Sequence, residues 1–110
     1  MLKSIFSLIL VVASSLSVAN EVNIYTSRHY DSDDQLYEDF RKETGIKINV
    51  ISGNGSALLE RLKSEGANSP ADIFFTVDAG NLWKIQKEGY FQSISSSKAL
   101  SIVPKNLRGP

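Results

Sequence analysis

One pentapeptide gathers the side chains best suited to chemistry. Ser27-Arg28-His29-Tyr30-Asp31 places an imidazole, a phenol and a carboxylate side by side, and His29 is the only histidine of the sequence. These are hard or borderline donors of the kind a trivalent cation such as iron accepts. A free phenol loses its proton only near pH ~10, so it becomes a phenolate ligand when a metal displaces that proton. Spacing alone accommodates a plainer role as well, with His29 and Tyr30 as polar loop residues over a sheet edge.

Other groups carry less. Gly53-Asn54-Gly55-Ser56 lies between a predicted strand and a predicted helix, where backbone amides can cradle an anion, or simply turn the chain. It lacks the lysine and the length of a phosphate-binding loop. Asp78 and Asn81 fit helix capping or the lining of the same crevice. Asp31, Asp33 and Asp34 resemble a calcium cluster, yet the glycine and glutamate of an EF-hand are missing, and charges complementing a helix dipole account for them better. No Gly-x-Ser-x-Gly elbow occurs, and a single histidine offers no convincing serine triad.

These loops need a scaffold, and hydrophobic patterning supplies one. Val22-Asn23-Ile24-Tyr25 alternates as a strand. Ser32 and Gln35 form a capping-box pattern opening a helix with Leu36, Tyr37 and Phe40 as its stripe and Gly45 as its stop. Ile46 to Ile51 alternates again. Ser56 then caps a helix carrying Leu58, Leu59 and Leu62, ended by Gly66. Asn68-Ser69-Pro70 turns the chain into Asp72 to Val77, an apolar run predicted as a central parallel strand covered on both faces. A third helix, capped by Asp78 or Asn81, turns Leu82, Trp83 and Ile85 inward and stops at Gly89, with Tyr90 and Phe91 joining Trp83 in the core. The tail from Ser93 to Pro110 has no period. The order β-α-β-α-β-α predicts an α/β fold with an open parallel sheet. Ligands of such sheets bind beyond the carboxyl ends of the strands, which selects the loops 26–31, 52–56 and 77–81.

Composition narrows the function. The 110 residues are 42% hydrophobic and carry no cysteine, which excludes disulfides, thiolate zinc sites and a cysteine nucleophile. Acidic and basic residues balance at 12 each, and no basic run suggests nucleic acid as a partner. Residues 1–19 have the three parts of a secretory signal peptide: Lys3, an apolar stretch from Ile5 to Val12, and small residues Ser17 and Ala19 before cleavage at Asn20. The apolar stretch falls short of the ~20 residues that span a bilayer. Removing Lys3 with it leaves 11 basic against 12 acidic residues. About 90 residues without disulfides make a small core, from which the chain is expected to be part of a larger domain.

Four segments together resemble the periplasmic iron(III)-binding proteins of ABC importers. They are Ile24-Tyr25-Thr26-Ser27-Arg28-His29-Tyr30, Phe40 to Lys47, Leu59 to Ile73 and Thr76-Val77-Asp78. The resemblance implies a type II periplasmic-binding-protein fold, of which residues 20–110 form part of the first lobe. It implies Tyr30 as a phenolate ligand of ferric iron, with His29 beside it as a ligand or a supporting group. It further implies Fe(III) as transported cargo, a synergistic anion, an inner-membrane ABC permease as partner, a monomeric receptor and no catalysis. The remaining tyrosine ligands are expected in a second lobe; Tyr25, Tyr37 and Tyr90 do not replace them. Two other readings stay open: a type II receptor for an oxyanion, a polyamine or thiamine, and an exported metallohydrolase using His29 with Asp31 or Asp78.

Overall fold

The computed structural model describes residues 20–109, and the expected signal peptide at 1–19 lies outside the described residues. Three strands, β1 (Glu21–Thr26), β2 (Lys47–Ser52) and β3 (Ile73–Phe75), alternate with helices α1 (Asp31–Thr44), α2 (Gly55–Glu65) and α3 (Ala79–Lys87). The strands form one parallel sheet in the order β2-β1-β3. The predicted β-α-β-α-β-α order and open parallel sheet are therefore present.

Among the described residues the centre of the sheet is β1, not the apolar run at 72–77. Ile24, Tyr25 and Thr26 are buried, and β1 pairs with β2 on one side and β3 on the other. Burial on both faces is the property of a central parallel strand. The run at 72–77 contributes only the three residues of β3 at the sheet edge, and Ile73 and Val77 stand roughly half exposed.

The helices bury narrower faces than their patterns suggest. Leu58 and Leu62 of α2 and Ile85 of α3 complete the small core around Ile24 and Tyr25. Leu82 and Trp83 face outward, and Tyr90 and Phe91 are also exposed, so the predicted inward face of α3 reduces to Ile85. In α1, Leu36 and Phe40 are exposed while the buried residue is Asp33. A carboxylate holds that inward place because a cation meets it there, as described below.

Neither Ser32 nor Ser56 caps the helix it was expected to cap. No side chain caps α1: it begins at Asp31, so Ser32 already lies within it, and the Gln35 amide donates to Asp39 one turn on at 2.7 Å instead of reaching back. In α2 the cap is Asn54, whose side-chain oxygen accepts from the Ser56 amide at 2.9 Å. Asp78 does cap α3, accepting from the Asn81 amide at 2.7 Å. Gly45 ends α1 at φ 72°, a left-handed turn that spares glycine a Cβ clash, with its amide returning to the Arg41 carbonyl. The tail contains order that its sequence hid: a six-residue helix α4 (Ser97–Ile102), capped by Ser96, and a 3-10 turn at Lys105–Leu107.

β1 and α2 are tied by a polar knot. The buried Tyr25 hydroxyl lies 2.8 and 2.7 Å from the two Glu65 carboxylate oxygens, which also take Arg61 and Ser69. Burial first, and the carboxylate second, push the Tyr25 phenol above its ordinary range, while Arg61 and then Tyr25 hold Glu65 below its own.

Candidate functional site

The three loops at the carboxyl ends of the strands meet as the parallel topology requires. The Ser27 amide donates to the Phe75 carbonyl and the Gly53 amide to the Thr26 carbonyl, each at 3.1 Å. Gly55 lies against the side chains of Ser27 and Asn81. Beside this junction, between the strand ends and α1, opens a concavity of about 290 Å³. Its wall includes Thr26, Arg28, His29, Tyr30, Asp33, Tyr37 and Ser52.

Tyr30 and His29, neighbours in the chain, both line this wall. Their rings stack with centroids 5.6 Å apart and planes 20° from parallel. Tyr30 is 51% exposed, so its phenol is available to a ligand arriving from outside. Tyr30 also occupies the residue before α1, and its carbonyl accepts the Asp33 amide at 2.9 Å. The backbone under the phenol is therefore part of a helix start rather than a free loop.

Arg28 is the element of the site that sequence reading passed over. Its Nε and Nη2 donate to the two Asp33 carboxylate oxygens at 2.8 and 2.9 Å, a bidentate pair. This pairing, ahead of desolvation, holds Asp33 below the ordinary carboxylate range and Arg28 above its own. The same guanidinium lies 4.9 Å from the Tyr30 ring centroid and 4.3 Å from that of Phe75. Asp33 follows Arg28 by five positions, a spacing with no helical meaning, and Asp33 has an ordinary explanation as a first-turn acid. The pair was consequently invisible in the pattern.

Tyr37 is the second omission. Its hydroxyl, in the wall of the same concavity, is buried with no hydrogen-bond partner among the described residues, and burial, then the nearby Asp33 charge, raise its pKa. Its membership of α1 is as expected; its approach to the Tyr30 concavity is not.

The other candidates are otherwise engaged. In the Gly53–Ser56 turn the amides of Gly53 and Ser56 are already bonded within the chain, and the turn's role is to cap α2. Asp78 directs both oxygens to Asn81, which explains its lowered pKa and leaves capping as its role. Among the described residues, no three His, Asp or Glu side chains gather as a metal cluster. What the wall offers a cation is the Tyr30 phenol and the His29 imidazole, with the carboxylates of Asp31 and Asp34 beside them and that of Asp33 held by Arg28.

The family model for bacterial extracellular solute-binding proteins matches residues 25–110. The chain is 48% identical over 99 residues to Iron uptake protein A1 of Synechocystis sp., covering 90% of this chain and 28% of that protein. Among solved structures, a Trichodesmium protein (IdiA, FutA) in complex with iron and citrate superimposes with a TM-score of 0.78 at 57% identity. That match covers 83% of this chain and 29% of the other. A ferric binding protein from Campylobacter jejuni gives 0.77 at 41% identity, over 80% of this chain and 28% of its own. The chain therefore spans less than a third of the length of each of these relatives.

Proposed function

The chain belongs to the bacterial extracellular solute-binding proteins, and from that membership we propose that it is the iron(III)-capturing receptor of an ABC importer. The observation that carries this reading is Tyr30, a half-exposed phenol stacked on the sole histidine at the carboxyl edge of a parallel sheet. Iron-named relatives at 48% and 57% identity support it.

In this reading Tyr30 gives ferric iron a phenolate and His29 an adjacent imidazole nitrogen. Residues 20–110 form part of the first of two lobes, and the opposite lobe and a synergistic anion complete the coordination. Residues 1–19 direct the protein to the periplasm, where it works as a monomer, captures the cation without catalysis and passes it to an inner-membrane permease. A hard trivalent cation suits this donor set because anionic oxygen ligands stabilise it far better than neutral ones.

Titration of ferric citrate into the full-length protein tests the proposal. A visible tyrosinate-to-iron charge-transfer band is the expected result, and Tyr30→Phe should weaken or abolish it. An unchanged band in the variant would remove Tyr30 from the site. Saturable binding of thiamine, a polyamine or an oxyanion, with no iron band, would transfer the receptor to another cargo.

A further inference from the structure

We propose that Arg28 is the positioning residue for Tyr30, a planar cation in contact with two rings that fixes the phenol at the concavity; toward iron, the inference rests on the function proposed above. Three independent contacts converge on this one guanidinium. The Tyr30 ring lies on it at 4.9 Å and the Phe75 ring at 4.3 Å. Asp33, buried at the start of α1, grips it through two hydrogen bonds of 2.8 and 2.9 Å. The Asp33 amide in turn donates to the Tyr30 carbonyl at 2.9 Å. Backbone and ring of Tyr30 are thus both tied to the same ion pair.

The geometry needs arginine rather than any cation. A guanidinium presents two flat faces and an in-plane fork together, so it can stack on rings and hold a carboxylate at once; an ammonium is a point charge without that plane. Phe75 belongs to β3, Arg28 to the loop after β1 and Asp33 to α1. The clamp therefore relates the phenol to three elements instead of leaving it on a loop. Preorganisation of this kind avoids ordering the side chain at the moment of binding.

The charge has a second effect. A cation against the ring lowers the energy of the electrons that a phenolate donates. Its removal should move the charge-transfer band to longer wavelength, a change that a loss of stability alone would not produce.

The test compares Arg28→Gln, Arg28→Lys and the double variant Arg28→Gln with Asp33→Asn, which leaves no buried carboxylate without its partner. In metal-free protein carrying labelled tyrosine, the Tyr30 ring resonances should move toward exposed, averaged positions, while those of Tyr25 stay. With ferric citrate, affinity should fall about tenfold, the loss expected for one cation–π contact and its ordering, and the band should shift to longer wavelength. Lysine should not rescue either readout. Unmoved Tyr30 resonances in the double variant, or full rescue by lysine, would overturn the proposal. A wild-type protein that shows no iron band but releases Tyr30 in the variants would retain the clamp and reject iron as the cargo.

Discussion

A phenol and a hidden hydroxyl seven residues apart define the site at the scale of single side chains. Tyr30 stands open at the edge of the concavity, and Tyr37 lies in its wall with a buried oxygen that has no hydrogen-bond partner among the described residues. Burying such a group without a partner costs about 1–3 kcal/mol. Tyr37→Phe is therefore expected to stabilise the protein by about 1 kcal/mol in denaturant unfolding and to leave an iron charge-transfer band in place. Tyr30→Phe should do the reverse, removing the band with little change in the unfolding midpoint. The location of His29 and Tyr30 at the concavity was legible because unusual residue types stand together in a loop that the strand-helix order exposes. Arg28, Asp33 and Tyr37 were not. Their roles depend on a guanidinium reaching across from one element to another, and no periodicity encodes such a reach.

At the scale of elements, the left-handed end of α1 and the knot between β1 and α2 each make a prediction. Gly45 adopts φ 72° with open space where a Cβ would stand, so only backbone conformation opposes a larger residue there. Gly45→Ala should cost about 1 kcal/mol in chemical unfolding. In the knot, Glu65 has a folded pKa below its unfolded one, so its stabilisation is present above roughly pH 4.3 and fades as pH falls through the lower folded value. Tyr25 has a raised pKa, so its stabilisation is intact below about pH 10 and is lost as pH rises through the folded value. Thermal melting across pH should show both declines. Glu65→Gln should flatten the acid limb, and Tyr25→Phe the alkaline one. The elements themselves were legible from alternation and glycine stops. Their caps were less so, because Ser32, Ser56 and Asn54 are all competent residues and the choice falls to whichever one the chain geometry presents. The apolar run at 72–77 reads as a central strand whereas β3 lies at the edge of the described sheet, because apolar runs signal burial in general and do not say which neighbour provides it.

For the molecule as a whole, the buried apolar core is small and the exposed apolar surface is large. Ile24, Tyr25, Leu58, Leu62 and Ile85 are inside, whereas Trp83 is 58% and Ile94 71% exposed. Apolar surface of that extent favours association. Residues 20–110 produced alone are expected to bind an apolar dye and to sediment as concentration-dependent oligomers, and a monodisperse monomer without dye binding would contradict this. The strand order β2-β1-β3 carries a further consequence, for assembly. The strand with two neighbours is the first in the chain, and its partners follow at 47–52 and 73–75. A chain emerging from its amino end therefore lays down the axis of the sheet before either flank. Each of the two later described strands adds at an open side, and neither has to be slotted between strands already joined.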